Sequence, residues 1–361
     1  MICSRKSFAF KALLVAGGLL CNTVNAADCW VDTLHNPQTG TGEDYSAPRY
    51  SGWRHTLETA ENLLRKDDHL NRINPVRFQL HQYIGQPDSP GLPLSASSSL
   101  FFHDKQAWKG QCELQEWADR LHFASISLTF NSLRSVIEAN GGALSGDAPP
   151  FILLPETTGS NQGIPIWQDR WVILTPNNLP AFVPLTYEEY IDWWLSYLSQ
   201  ERNQWSEDAT TLSEEEREWQ NYINEVRRSD PKQAEELEKM MEEATRVELD
   251  DHTGEWAEIQ RLKAGINNAN RHLPVYLDVD AGSPYRFSFS LTASETARPL
   301  VQVNNALWQQ GANSNAVKVV VIDAYVNGKA PFEPQGEQHK SVAVSWLYQF
   351  NPNPYLALLS K

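Results

Sequence analysis

The alternation of apolar and polar residues predicts β-strands through the first half of the chain. Residues 124–130 (ASISLTF) carry apolar side chains at every second position, and 76–84 (VRFQLHQYI) alternate in the same way, with Val76, Phe78, Leu80 and Gln82 on one side; this is the spacing of a strand with one buried face. Short strand candidates follow at 100–103 and 111–117, and an apolar run predicts a further short strand at 151–154. Stretches rich in Pro, Gly, Ser and Thr predict loops at 86–99 and 155–163.

A helix is predicted ahead of these strands, because apolar residues there recur every three or four positions. Leu57, Ala60 and Leu64 form one face of a helix that begins near Ser51. A brief second helix is predicted at 133–139. A helix followed by several strands is typical of an α+β fold in which the helix lies across a mainly antiparallel sheet.

The stretch from Trp167 to Leu198 predicts a strand, a turn and a helix without a gap. Residues 167–175 (WQDRWVILT) are aromatic and β-branched, as expected of a strand. Thr186 and Glu189 have the spacing of a capping box, in which each side chain bonds the other residue's backbone amide. Apolar side chains cover more than half of the following helix, so it is predicted to lie between two packing partners. They are Tyr187, Tyr190, Ile191, Trp193, Trp194, Leu195, Tyr197 and Leu198.

Residues 206–263 differ in composition from the rest of the chain and predict a long acidic helical hairpin or arm. They hold 18 Asp and Glu against 8 Lys and Arg, with no glycine before Gly254. Asp230, Pro231 and Gln233 predict a helix start inside this stretch. Disordered acidic segments lack apolar seams, whereas this stretch has two at helical spacing. The seams comprise Trp219, Tyr222, Ile223 and Val226, then Leu237, Met240, Met241, Ala244 and Val247.

Beyond Asn270 the pattern returns to strands and predicts a C-terminal β-rich region. Its strands are predicted at 275–279, 285–291, 317–326 and 341–348. The chain is thus predicted to comprise a leader at 1–26, an N-terminal α+β domain at 27–185, a helical region at 186–270 and the β-rich region at 271–361. The pattern leaves open whether the two β regions share one sheet.

The first 26 residues have the pattern of a cleaved secretory signal peptide. Arg5 and Lys6 precede an apolar run, and residues 24–26 (VNA) supply the small side chains that signal peptidase requires. The protein is therefore predicted to be periplasmic or secreted, in a bacterial envelope, with cleavage after Ala26. Lipid attachment at Cys21 is the alternative, although the preceding leucine is larger than such a site prefers.

Two cysteines remain once the leader is removed, Cys29 and Cys112. An oxidising compartment allows them to form one disulfide, which would tie the start of the mature chain to the strand region near residue 112. Two separate thiols are the alternative. Zinc binding is not supported, because no His lies at ligand spacing from either cysteine.

The acidity of the chain argues against nucleic acid as a partner. The formal net charge is −15, and loss of the three basic residues of the leader moves it to −18. Nucleic-acid binding depends on neutralisation of phosphates by Lys and Arg. No later apolar stretch approaches the about 20 residues of a membrane span, so none is expected after removal of the leader.

The common catalytic and cofactor motifs are missing from the sequence: there is no P-loop, dinucleotide-binding glycine motif, His-Glu-x-x-His or Gly-x-Ser-x-Gly. No cofactor or metal site is predicted, and enzymatic activity is left open. Asp278 and Asp280 are the catalytic candidates, because alternate strand positions put both carboxylates on one face, which suits acid/base work or a cation. An ordinary strand end before a turn is the alternative.

Trp167, Trp171 and Trp193 are candidate sugar-binding residues, because aromatic faces stack on pyranose rings. Core packing is the alternative, and the spacing of the tryptophans favours it, since Trp buries a large apolar area. Two functions are carried forward. The first is a non-catalytic protein whose acidic arm, 206–263, binds a protein partner or a second copy of the chain. The second is an envelope hydrolase of polysaccharide or peptide, with Asp278 and Asp280 beside an aromatic cleft.

Overall fold

The chain has an α+β fold in which helices pack on mainly antiparallel sheets, as the sequence predicts. A computed structural model describes residues 30–32, 38–40, 42, 44–72, 77–88, 92–103, 108–109, 113–114, 122–142, 149–208, 214–278, 289–308, 316–326 and 342–359. The predicted signal peptide lies outside these residues. None of the described helices is long and apolar enough to cross a membrane.

The helices and strands follow one another in this order. The helices are α1 Ser51–Arg65, α2 Asp68–Asn71, α3 Arg134–Ala139, α4 Tyr187–Asp208, α5 Glu214–Ser229, α6 Pro231–Ala264, α7 at 342–347 and α8 Asn353–Leu356. The strands are β1 Trp30–Asp32, β2 Gln38–Thr39, β3 Arg77–Ile84, β4 Ala96–His103, β5 Trp108–Lys109, β6 Glu113–Leu114, β7 Ala124–Phe130, β8 Phe151–Leu153, β9 Thr157–Asn161, β10 Ile164–Trp167, β11 Trp171–Leu174, β12 Phe182–Pro184, β13 Tyr276–Asp278, β14 Phe289–Ser290, β15 Ala297–Val303 and β16 Val320–Val326.

A large sheet joins strands from both ends of the chain. Its order is β1-β3-β4-β7-β16-β11-β10-β9, with β2 also beside β3. The neighbours are antiparallel except for β1 and β2, which run parallel to β3. β16 lies in the middle, with Asp323 opposite both Ser127 of β7 and Trp171 of β11. The sequence left open whether the two β regions share a sheet, and β16 joins the C-terminal region to this one.

One face of the large sheet packs on α1 and on the C-terminal helices. The predicted alternation is observed, since Phe78, Ile126 and Ile322 from three strands enter the same core as Trp53 and Leu57 of α1. The indole of Trp346 on α7 is also fully buried in this core. Each buried aliphatic or aromatic side chain of this kind contributes about 1.5–3 kcal/mol by leaving water.

A second, smaller sheet lies against α4. Its order is β12-β15-β13-β14, with β8 also beside β15. α4 packs between this sheet and the end of α6, because Tyr190 and Trp194 share a core with Leu300 of β15 and Ile259 of α6. The two-sided burial predicted for α4 is therefore observed.

Three backbone hydrogen bonds join the segment just before α4 to the second sheet and to the residue before β13. The amide of Leu185 donates to Leu300 over 2.9 Å, Leu300 donates to Val275 over 2.8 Å, and Val275 donates back to Leu185 over 3.0 Å. The predicted capping box follows at once. The Thr186 amide donates to Glu189 Oε2 over 2.9 Å, and the Glu189 amide donates to the Thr186 hydroxyl over 3.3 Å. The entry to α4 is thus held by its own residues and by the second sheet.

Two predictions near the middle of the chain were wrong. Residues 167–175 do not form one strand: Gln168 and Asp169 both adopt φ 52°, which reverses the chain between β10 and β11. The stretch 155–163 is not a loop, because β9 pairs there with β10. Taken alone, the residues of 167–175 resemble a strand and those of 155–163 resemble a loop. The pairing of β9 with β10 and of β10 with β11 shows where the strands and the turn lie.

Two further predictions failed where pairing or packing overrode the local pattern. Residues 96–99, predicted as loop, form the start of β4, because β3 and β7 pair with them on both sides. Residues 341–348 were predicted as a strand, whereas 342–347 are helical. Ala343, Trp346 and Leu347 are the buried residues there, at helical spacing i, i+3 and i+4.

Candidate functional site

The candidate tryptophans do not form one site. Trp167 and Trp171 are cross-strand partners, but the side chain of Trp171 is only 2% exposed. Trp193 belongs to the core around α4, where its ring stacks on Tyr197 with centroids 5.2 Å apart. Trp167 is half-buried and lines a cavity. Of the predicted sugar-binding residues, Trp167 thus lines a cavity in the described part of the chain.

The predicted catalytic and disulfide residues are only partly described. Asp278 is exposed at the end of β13, and Asp280 lies outside the described residues. Cys29 and Cys112 also lie outside them, so the disulfide stays a prediction. In the part of the chain that the structure describes, no group of three His, Cys, Asp or Glu could hold a metal ion. The hydrolase hypothesis therefore stays a prediction, because only Asp278 of its two carboxylates lies in the described part of the chain.

Exposed aromatic residues mark the surface of α5 and α6, which we call the helix pair. Trp219 and Tyr222, one turn apart on α5, are 48% and 49% exposed. Their rings meet edge to face, with centroids 5.8 Å apart. Met240 on α6 is 59% exposed. Aromatic side chains of this size are enriched in the energetic centres of protein interfaces.

The predicted seams of the helix pair are narrower than the sequence indicated. Ile223 on α5 and Ala234 on α6 are buried, whereas Trp219, Tyr222 and Met240 are turned outward. Two packed helices bury only a narrow stripe of each other, so apolar side chains outside that stripe stay exposed. The sequence places more apolar residues along each predicted seam than two packed helices can bury. This surplus of apolar residues in the sequence is what could have predicted an exposed apolar patch.

The ends of the helix pair are held by specific contacts. Asp230 caps α6, because its Oδ1 accepts hydrogen bonds from the amides of Lys232 and Gln233 over 3.1 and 3.0 Å. Arg227 of α5 forms an ion pair with Glu238 of α6. The predicted start of α6 is therefore confirmed. That the pair projects as an arm stays a prediction.

The far end of α6 attaches the helix pair to α4. Ile259 of α6 is fully buried in the α4 core. The Tyr187 hydroxyl donates to the Leu262 carbonyl over 3.2 Å, and Lys263 forms an ion pair with Asp192. Because α6 has 34 residues, at about 1.5 Å each it extends for roughly 50 Å, and its described contacts with α4 lie in its last turns.

The surface of the helix pair is acidic at neutral pH. α5 and α6 together carry 15 Asp and Glu against 8 Lys and Arg. The hydrogen bond from Lys239 lowers the pKa of Glu235, and the hydrogen bond from Arg261 lowers the pKa of Glu258. Both carboxylates therefore remain charged well below pH 7. The aromatic pair on α5 sits on a helix whose net charge is negative.

Comparison of the chain with protein-family models, with curated proteins and with solved structures found no match.

Proposed function

We propose that the protein is a non-catalytic extracytoplasmic binding protein, and that its helix pair docks a protein partner with a basic surface. The observation that carries the proposal is the exposed pair of Trp219 and Tyr222 on an acidic helix. Trp and Tyr supply much of the free energy at protein interfaces when they become buried. Left in water, they contribute little to the stability of this chain.

The net charge of the helix pair indicates which kind of partner it binds. The helix pair has a net charge of −7 from its 15 acidic and 8 basic residues. Two copies of the chain that met through this surface would bring two negative surfaces together, which costs free energy. A basic partner instead gains electrostatic attraction that speeds association and weakens with salt. A basic protein surface with an apolar centre therefore fits better than a second copy.

The proposal is tested with purified chain that lacks residues 1–26 and a synthetic amphipathic helical peptide of Lys and Leu as the probe. Binding is measured by calorimetry at two salt concentrations. We expect the double variant Trp219→Ala/Tyr222→Ala to weaken binding by about tenfold or more, roughly 1.4 kcal/mol, because it removes the apolar anchor and leaves the acids in place.

The matched control is Tyr83→Ala, which removes an aromatic side chain that is 42% exposed on the large sheet, away from the helix pair. It should bind the peptide as the wild type does. Equal binding by the wild type and the double variant would show that the peptide recognises only charge, and the aromatic pair would lose its role. Light scattering that shows dimers dissociated by the double variant would replace the basic partner with a second copy.

A further inference from the structure

A cavity of about 450 Å³ opens at the end of the large sheet, between the β9–β10–β11 hairpins and the segment 175–182. Its residues share one property, which is that none of them is charged. They are Leu154, Gln162, Gly163, Ile164, Pro165, Trp167, Ile173, Thr175, Asn178, Leu179, Pro180, Ala181 and Phe182. The volume lies within the range of small-molecule sites, which is about 300–1,000 Å³.

Two tight turns place polar side chains at the rim of the cavity. Gln162 has φ 50° and Asn178 has φ 56°, so both backbones are left-handed and both side chains are exposed. Gly163, at φ 82°, completes the first turn, and Asn177, at φ 53°, precedes Asn178 in the second. Side-chain amides at both turns offer hydrogen-bond donors and acceptors to a ligand in the opening.

The inner wall of the cavity is apolar and supported from behind. Trp167 is half-buried in the wall, and its cross-strand partner Trp171 is buried against Val319 and Val321 in the core beneath. Thr175 and Phe182 also line the cavity, and both are buried. A wall backed by packed core keeps its shape without a ligand, so little ordering is required when a ligand binds.

We propose that this cavity binds one or two rings of a neutral saccharide, with the ring face of Trp167 against the apolar face of a pyranose and the amides of Gln162 and Asn178 bonding its hydroxyls. A pyranose needs an aromatic face and uncharged donors and acceptors together, and the lining supplies both. The absence of charge from the described lining residues disfavours phosphorylated or uronic-acid rings, because a charged group placed there would be desolvated without a partner among them.

A proline-rich peptide is the competing occupant, since aromatic and proline side chains also line grooves that bind such peptides. An extended peptide advances about 3.1 Å per residue and needs an open channel. The lining instead includes the buried Thr175 and Phe182, and its volume of about 450 Å³ suits a compact ring. The saccharide is therefore the occupant that the lining favours, and the peptide becomes a separate arm of the test.

The experiment uses the chain without residues 1–26 and follows both tryptophan fluorescence and calorimetric heat. The probes are cellotetraose, maltotetraose and chitotetraose, with oligogalacturonate and a proline-rich decapeptide as further arms. We expect at least one neutral tetrasaccharide to bind with a Kd below about 1 mM, and Trp167→Ala to weaken it by about tenfold or more. Trp167→Phe, which retains an aromatic face, should keep most of the affinity.

A second variant guards against a folding defect in Trp167→Ala. Gln162→Gly/Asn178→Gly removes both rim amides while glycine keeps the left-handed backbone at no steric cost, so it should fold and also lose binding. The control is Trp219→Ala on the helix pair, which should bind saccharide normally and so separates this inference from the proposed protein-binding function. The proposal is overturned if none of the neutral saccharides binds at about 10 mM. It is also overturned if only the decapeptide binds and its binding depends on Trp167.

Discussion

The indole N–H of Trp346 donates a hydrogen bond to Asp67 Oδ2 over 2.9 Å, across 279 positions of sequence. The other oxygen of the same carboxylate caps α2 and accepts from the amides of His69 and Leu70 over 2.9 and 3.0 Å. One side chain therefore starts a short helix near the N-terminal end and satisfies a buried indole of α7. α7 is tied to α2 at this point.

Replacement of Asp67 by Ala is expected to lower the free energy of unfolding by about 2–4 kcal/mol. Loss of the cap contributes about 1 kcal/mol. The Trp346 indole, which is fully buried, loses its acceptor, and an unsatisfied buried donor costs about 1–3 kcal/mol. Urea unfolding followed by tryptophan fluorescence measures the change.

The neighbouring Asp68 provides the control for this prediction, because it is exposed in the first turn of α2. Asp68→Ala should change the free energy of unfolding by about 0.5 kcal/mol or less. If the two variants lose similar amounts, the bond between Asp67 and Trp346 does not contribute as described.

Trp194→Ala is expected to destabilise the protein by about 3–5 kcal/mol, as truncation of a buried aromatic residue does. Trp194 is 4% exposed. The centroid of its ring lies 4.7 Å from that of Trp193 and 6.3 Å from that of Tyr190. The variant would leave a cavity between α4 and its two packing partners. Equilibrium unfolding in urea gives the loss directly.

Trp219→Ala is the comparison for Trp194→Ala, because the same residue type is replaced on an exposed face of α5. It should cost about 0.5 kcal/mol or less. A loss below about 1 kcal/mol for Trp194→Ala would mean that the interior of α4 relaxes without a cavity, contrary to its described packing.

The capping box of α4 predicts a pH dependence of stability. Burial by itself raises the pKa of Glu189, but hydrogen bonds from the Thr186 hydroxyl, the Thr186 amide and Gln302 outweigh it, so the pKa lies below its ordinary 4.5. A lowered folded-state pKa gives stability that is present above the unfolded value and lost as the pH falls through the folded value. We therefore expect wild type and Glu189→Gln to differ at neutral pH and to converge as the pH falls below 4.5 and through the lowered folded pKa.

Urea unfolding at neutral pH and at about pH 3 measures this convergence. Thr186→Ser keeps the hydroxyl and should retain the pH dependence, whereas Thr186→Ala should reduce it and cost about 1 kcal/mol at neutral pH. If the difference in the free energy of unfolding between wild type and Glu189→Gln does not change with pH, then the charge of Glu189 does not contribute to the stability of the capping box.

Sequence pattern was sufficient wherever a few neighbouring residues decide the conformation. The capping box at Thr186 and the start of α6 at Asp230 follow from side chains that bond amides two or three residues away. β7 has the predicted bounds of 124–130, because its alternation matches one buried face. The candidate surface was only partly predictable, since the composition of 206–263 indicated helices but not which of their apolar residues stay exposed.

The sequence by itself determined the acidic character of the helix pair, the starts of α4 and α6 and the apolar faces of β3 and β7, because these depend on residue type and short spacing. Tertiary structure decided that β16 enters the middle of the large sheet, that 342–347 are helical, and that Trp219 and Tyr222 remain exposed. It also decided that Trp167 lines a cavity while Trp171 is buried. These outcomes depend on contacts between segments far apart in the chain, whose free energies exceed the local preferences that a sequence pattern expresses.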